Sequence, residues 1–319
     1  MGQKIVILDE PLANLDTAGA EMLMSTLKSL AKAGYCIVVI EHRLDVVLPF
    51  VDKVFHVGGK RVREIKDKES YLKEQSVEIS DSCAVFCGGQ PVFSLSDVAF
   101  SVKDRVILNG VDFDILKGSR TVLFGENGCG KTTLLRLISR LEKPTRGVIL
   151  QNISGKFGQK SKQSKKWYKK VGVVYQNPDY QLFMPTVEKE IKFGAKSDEY
   201  ADEIAEKFGV KHLYVRHPQS LSEGQKRRVS IAAVVATAPE VLILDEPTVG
   251  QDYKGLCEMV EVLNRIHEET HNTMITVTHD KRCAAALCDR AVWIKDGKTY
   301  KTGDKQLIDE FFTIRQDKS

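Results

Sequence analysis

The stretch Gly125–Thr132, GENGCGKT, decides how the rest of the 319-residue chain is read. It fits the spacing Gly-x-x-x-x-Gly-Lys-Thr. It also lies between an apolar run, RTVLFG, and a helix-like one, KTTLLRLISRL. Glycines at these places let main-chain N–H groups curl round phosphate oxygens, where side chains would block the approach. The helix that follows points its positive dipole end at the anion. Lys131 is then expected to reach the β- and γ-phosphates, and Thr132 to offer a hydroxyl to Mg²⁺. The expected nucleotide-binding set is Gly125, Glu126, Asn127, Gly128, Cys129, Gly130, Lys131, Thr132 and Thr133.

Downstream, VLILDEP supplies a second part of the same chemistry. The apolar residues Val241–Leu244 read as a buried strand with Asp245 at its C-terminal tip, where open α/β sheets bind ligands. Asp245 is expected to hold Mg²⁺, usually through water. Glu246, the next carboxylate, is the general-base candidate for an attacking water.

The remainder of the chain is ordinary for soluble globular protein: 42% hydrophobic, 28% charged and a formal net charge of +4. That charge allows contact with anionic lipid or nucleotide but argues for neither. The longest apolar runs, such as Cys36–Ile40, are strand-length and far short of a membrane span. The N-terminus lacks a signal-peptide layout, which favours a cytosolic location. The seven cysteines form no Cys-x-x-Cys pair; Cys83 and Cys87 lack a second ligand pair and read as linker thiols. The Lys-rich stretch from Lys156 to Lys170 reads as a solvated face, because no regular aromatic interleaving supports base stacking.

The element around Asp245 occurs twice. MGQKIVILDEPLANLD opens the chain, and PEVLILDEPTVGQD spans Pro239–Asp252. Residues 4 to 60 read as strand, helix, strand, helix, strand, with Thr17–Ala33 helical and Gly34 as its stop. Residues 66–90 are polar and read as a linker. The expected layout is a C-terminal remnant of one α/β domain at 1–65, the linker at 66–90, and a complete domain at 91–319. In the complete domain, FSLSDVAFSV and VDFDI alternate as antiparallel strands should. The first copy contains Asp9, Glu10, Asp16 and His42 but has no phosphate loop of its own, so Glu10 is expected to do no hydrolysis. A unit of about 60 residues is marginal alone. Without the phosphate-loop strand its sheet should leave an apolar face uncovered, so it either docks elsewhere or is poorly ordered.

Four further motifs, in order, carry a family resemblance. LSEGQ at Leu221–Gln225 resembles the signature motif of ABC-type ATPases, and Gln176 in VVYQNP resembles their Q-loop. VGQD at Val249–Asp252 resembles the D-loop, and His279 in ITVTHD resembles the switch histidine. The resemblance covers roughly residues 92 to 300. It implies an α/β P-loop NTPase fold with a mixed sheet, an antiparallel β subdomain and a helical subdomain, preceded by a partial cassette. It implies ATP and Mg²⁺ as ligands. Gln176, Ser222, Gly224 and Gln225 join the nucleotide set, Gln176 joins Thr132 and Asp245 at the metal, and His279 joins Glu246 in catalysis. Two ATP molecules would be sandwiched between two such domains, with the signature of one closing on the γ-phosphate held by Lys131 of the other. One chain cannot close that sandwich internally, so a second ATPase domain, from self-association or another chain, is expected.

Two positions depart from the family pattern. Glu223 stands where the signature usually has a glycine. Val102 stands where the family tends to stack adenine on an aromatic ring, with Phe100 two residues earlier. QNPDYQLFMPTVEKEI, Gln176–Ile191, resembles the Q-loop region of energy-coupling-factor and cobalt-type importers, and IEHRLD around His42 resembles the switch region of their tandem versions. The resemblance therefore implies a tandem ATPase truncated at its N-terminus. It would power uptake of a vitamin or metal ion and sit peripherally on the inner face of the cell membrane. Its partners would be a transmembrane coupling subunit and a substrate-capture membrane protein, with no nucleic acid. Other ABC importers are the alternative, as are ABC proteins acting on ribosomes or DNA. The absence of heptads between Lys131 and Ser222 argues against the DNA-acting kind. A catalytically silent fragment is disfavoured by intact Lys131, Glu246 and His279.

Overall fold

The structure is a computed structural model that describes residues 4–12, 15, 17–58, 60–75, 88–153, 165–251 and 253–316. Of the positions singled out in the sequence, Gly2, Gln3, Asp16, Cys83, Cys87, Asp252 and part of the Lys-rich stretch lie outside the described residues. The chain divides into two compact units, one built mainly from residues 1–79 and the other from 80–250 and 254–318.

The larger unit begins with two long antiparallel strands, β5 (Pro91–Val102) and β6 (Arg105–Leu116), and is joined by β8 (Arg146–Gln151) in a three-stranded sheet ordered β6-β5-β8. Their alternating pattern puts Phe93, Leu95, Val111 and Ile115 inside and leaves residues such as Asp112 and Asp114 out. A second sheet holds β7 (Arg120–Phe124), β9 (Val171–Val174), β10 (Val241–Asp245), β11 (Thr273–Val277), β12 (Arg290–Lys295) and β13 (Lys298–Gly303). Its order is β13-β12-β7-β11-β10-β9; all neighbours are parallel except the β12–β13 hairpin. The sheet is thus mixed, as expected.

The five residues of β7, β10 and β11 are all buried, which is why they read as unbroken apolar runs rather than alternating ones. Leu123 faces the layer that contains Leu134 and Ile138 of helix α4 (Lys131–Ile138). Val122 and Phe124 face Trp293, Ile308 and Phe311, the last two from helix α11 (Lys305–Gln316). Burying each such side chain contributes about 1.5–3 kcal/mol. The far end of β7 is pinned by a buried ion pair. The Arg120 guanidinium donates to Asp289 Oδ1 at 2.6 Å and to Asn264 Oδ1 at 2.7 Å, while its main-chain N–H donates to Asp289 Oδ2 at 2.8 Å. Fixing that end sets the height at which β7 delivers Gly125.

A helical subdomain follows β9, with α6 (Val187–Lys192), α7 (Asp198–Lys207) and α8 (Glu223–Ala236). Helix α9 (Tyr253–Thr270) and the shorter α10 (Lys281–Ala286) flank β11, and a four-residue α5 (Lys165–Tyr168) precedes β9.

The smaller unit runs β1 (Ile5–Asp9), α1 (Thr17–Lys32), β2 (Cys36–Ile40), α2 (Leu44–Val47), β3 (Val54–Gly58), β4 (Arg61–Ile65) and α3 (Lys68–Gln75). This is the order β10, α9, β11, α10, β12, β13, α11 over again, with β1–β2 parallel in the same register as β10–β11 and β3–β4 antiparallel. The repeat therefore runs beyond residue 65. The polar stretch read as a linker from residue 66 contains a helix, α3, whose Tyr71 is buried and whose hydroxyl lies 2.7 Å from His56 Nδ1.

The two copies differ in burial. Leu12, Ala20, Met24, Leu27, Val46 and Val47 form the core of the smaller unit. Yet β1 and β2 are covered on one face only: Ile5 is 64% and Ile7 68% exposed, and Val38 and Ile40 are also open. In the larger unit β7 and β9 flank the equivalent pair and both faces are covered. The uncovered apolar face expected of the first copy is present among the described residues.

Candidate active site

The phosphate loop lies between β7 and α4, as expected. Gly125 has φ +153°, and a Cβ there would lie 2.1 Å from the carbonyl oxygen of Ile294 in the neighbouring strand β12, so only glycine lets the loop leave the sheet here. Gly130 caps α4 at φ +104° with no side-chain cap, and a Cβ would meet Leu108 at 2.5 Å. The first N–H groups of α4 are thus left for an anion rather than consumed by a cap. The Lys131 ammonium is buried and donates to the carbonyls of Gly125 and Glu126, both at 2.9 Å, so it is folded back along the inside of its own loop.

Strand β10 carries Asp245 to the same edge. The Thr132 hydroxyl lies near the Asp245 carboxylate and favours its ionised form. Its Oδ1 is buried with no hydrogen-bond partner among the described residues. An orphaned carboxylate oxygen beside a threonine hydroxyl is the hard-oxygen donor set that Mg²⁺ prefers, with the remaining positions left to phosphate and water. Burial raises the Asp245 pKa to about 6; the adjacent Glu246 charge adds to this, and Arg227, Lys131 and the Thr132 hydroxyl oppose it.

That shift has a consequence for stability. A carboxyl held at about 6 in the fold against 3.8 otherwise costs stability once ionised. The cost is absent below about pH 4 and complete above about pH 6–7. Asp245→Asn is therefore expected to stabilise the protein near neutral pH without nucleotide or metal by about 1–3 kcal/mol. A melting temperature higher than wild type by several degrees near neutrality, with the gain shrinking towards about pH 5, would meet this expectation. An equal gain at both pH values would contradict it.

Glu246 follows directly. It is a non-glycine residue at φ +51°, a conformation that costs about 1–3 kcal/mol and is kept where the surroundings enforce it. Its N–H donates to Val277 O at 2.9 Å. Its side chain meets His279, with Oε1 2.8 Å from Nδ1 and Oε2 accepting from the His279 main-chain N–H at 3.3 Å. Both side chains are largely buried, at 9% and 16% exposure. Thus Lys131, Thr132, Asp245, Glu246 and His279 lie together at the carboxyl ends of β7, β10 and β11.

Ser222, Gly224 and Gln225 are placed differently. Ser222 and Gln225 form a capping box at the start of α8. Gly250, in the loop after β10, packs against this turn: a Cβ on it would lie 3.5 Å from Glu223 Cβ and 3.9 Å from Gly224 N. Within the box the Ser222 N–H donates to Gln225 Oε1 at 3.2 Å and the Gln225 N–H donates to Ser222 Oγ at 3.4 Å.

The main chain of Gln176 is tied to helix α8 by a residue that sequence reasoning missed. Buried Arg227, on α8, donates from Nη1 to the Tyr175 carbonyl at 2.7 Å and from Nη2 to the Gln176 carbonyl. Asp245 and Glu246 are the carboxylates whose field acts most on it. Lys226 adds a second tie, 2.8 Å to Asp179. Gln181 braces the same loop, accepting from Tyr175 N–H at 2.8 Å and donating to Val173 O at 2.7 Å. Glu190 accepts from the N–H groups of Phe183 and Met184 at 2.9 and 2.7 Å. The one available signal was the charged pair Lys226-Arg227 on an otherwise buried helix.

The smaller unit keeps part of this geometry. Glu10 has φ +45°, donates its N–H to Ile40 O at 2.9 Å, and places Oε1 3.3 Å from His42 Nε2. These side chains are 35% and 42% exposed. Among the described residues no helix is long and apolar enough to cross a membrane.

The ABC transporter family profile matches residues 108–249. The energy-coupling factor transporter ATP-binding protein EcfA2 of Enterococcus faecalis is 40% identical over 62% of this chain and 72% of its own length. The same-named protein of Halalkalibacterium halodurans is 38% identical over 64% and 76%. A Bacillus subtilis protein whose name ties it to HMP and thiamine import is 30% identical over 97% of this chain, which spans 64% of that protein. The chain likewise spans 61% and 59% of two longer Methanosarcina relatives. Among solved structures, CbiO1 of Clostridium perfringens, part of the ABC transporter complex CbiONQ, is 31% identical with a TM-score of 0.61, covering 71% of this chain and 94% of its own. A dimeric ATP-binding cassette bound to ADP and phosphate is 26% identical, with a TM-score of 0.58 over 67% and 98%.

Proposed function

This chain belongs to the ABC transporter family of ATP-binding proteins, and from that footing we propose that its larger unit binds ATP with Mg²⁺ and hydrolyses it to drive membrane uptake. The observation that carries this reading is the convergence of Lys131, Thr132, Asp245 and the Glu246–His279 pair on one sheet edge. Thr132, Asp245 and the Gln176 side chain would hold Mg²⁺, which when bound supplies charge neutralisation to the phosphates. Lys131 leaves its loop carbonyls for phosphate oxygens, so its charge is supplied where negative charge gathers. Glu246 takes the proton of the attacking water. His279, hydrogen-bonded to Glu246 from both its ring and its main chain, holds that carboxylate in line. Ser222 and Gly224 act on the nucleotide of a second ATPase domain, because their helix end is offered at the surface of the helical subdomain.

The substrate class is a vitamin or a metal ion captured by a separate membrane protein, and the immediate partner is a transmembrane coupling subunit. This rests on the relatives' names and on Tyr180, Phe183, Phe193 and Val215, which stand exposed around the braced loop after Gln176. The protein then works at the inner face of the cell membrane. The test is Mg²⁺-dependent ATP turnover by the purified chain, alone and after co-expression with an energy-coupling-factor membrane subunit. Failure to bind ATP would remove the reading; turnover without co-purification of the membrane subunit would remove the importer assignment.

Glu10→Gln is expected to leave turnover within about twofold of wild type, since a general base acts only within reach of a bound phosphate. A loss beyond tenfold would give the smaller unit a catalytic part.

A further inference from the structure

Next to the phosphate loop lies a pocket of about 450 Å³, bounded by the first residues of β6, by loop residues 126–129 and by the β12–β13 turn. Its position continues from the phosphate site, and its volume suits a nucleoside. Val106 and Ile107 contribute to its lining, and among the described residues no aromatic residue does.

We infer that Arg105 holds the nucleobase in this pocket, its guanidinium plane taking the place of an aromatic ring. Three observations support this. First, Arg105 is directly cross-strand from Val102, the position where an aromatic ring would be expected. Cross-strand partners project from the same face of a hairpin, so Arg105 emerges where that ring would. Second, Arg105 lines the pocket and has the largest planar conjugated side chain that does. A guanidinium plane stacks on a base and is drawn to its π face. Third, among the described residues the Arg105 guanidinium makes no ion pair, whereas Lys295, the other cation of the lining, lies over the Tyr300 ring at 5.1 Å. The base is thus held beside a cationic plane. The glycine-rich loop holds the phosphates independently of it.

The assignment rests on the ATP-binding reading above, and calorimetry on the full-length chain separates the two. The imido analogue of ATP and inorganic triphosphate are titrated, each with Mg²⁺. Wild-type protein is expected to bind the analogue more tightly than triphosphate. Arg105→Ala should weaken the analogue about fivefold and leave triphosphate unchanged. Arg105→Tyr, which restores a flat face, should recover most of the loss. Analogue affinity unchanged in Arg105→Ala would overturn the assignment, as would an equal loss for both ligands. A wild-type chain that binds neither ligand overturns the ATPase reading itself, and this assignment with it.

Discussion

Glu246→Gln is expected to lower steady-state ATP turnover by about 10²–10⁴-fold while nucleotide binding survives. The substitution keeps size and hydrogen-bonding reach. The amide that replaces the carboxylate can still accept from the His279 main-chain N–H, and it still fits a site where the native side chain is only 9% exposed. What the substitution removes is the capacity to take a proton. It also removes the neighbouring charge that helps raise the Asp245 pKa. Asp245 then ionises more readily, and metal-dependent binding should not weaken. Loss of turnover with unchanged affinity for the ATP analogue is the pattern of a group that acts only in the transition state. Turnover within tenfold of wild type would place the base elsewhere. The same variant reports on assembly: under saturating ATP, light scattering should show twice the monomer mass if the chain pairs with itself. A persistent monomer would require a different ATPase partner for Ser222 and Gly224.

Much of this site was legible because its chemistry needs short, contiguous strings. A buried parallel strand is an unbroken apolar run, so Val241–Leu244 announced both the strand and the position of Asp245 at its tip. Gly125 and Gly130 sit at positive φ against neighbouring strands, and a steric demand of that kind leaves a mark in the sequence. Arg227 left none. Its partners are the carbonyls of Tyr175 and Gln176, 52 and 51 residues away, and a main-chain acceptor carries no residue identity. Arg105 was equally silent, since its relation to Val102 exists only once the register of β5 and β6 is known. The helix α3 was missed for another reason. KESYLKEQ has almost no apolar face, and a polar eight-residue helix is indistinguishable by periodicity from a linker; it is held by Tyr71 rather than by a stripe.

The position of Glu223 also became clearer with the structure. A carboxylate in the first turn of α8 favours the helix through its dipole, and Lys226 lies 3.4 Å from it.

Lys131→Ala is the complementary extreme, with ATP and inorganic triphosphate both expected to bind about 10²-fold more weakly. In the structure the ammonium is fully engaged, held by the Gly125 and Glu126 carbonyls on the inner side of the loop. Moving it onto phosphate exchanges neutral acceptors for charged ones, and charge-assisted bonds in a buried site are the stronger kind. Deleting it also leaves two carbonyls without their donor and takes a positive charge away from Asp245, whose carboxyl should then ionise less readily. Metal and phosphate are thus weakened together, a loss that no change at the base end can reproduce. Far-ultraviolet circular dichroism and the melting curve identify any variant that has simply failed to fold. In a folded variant, equal losses for ATP and triphosphate at Lys131 should contrast with a loss confined to ATP at Arg105. A folded Lys131→Ala protein that binds triphosphate as wild type does would mean that the loop N–H groups hold the anion without it, and the assignment of Lys131 to the β- and γ-phosphates would fail.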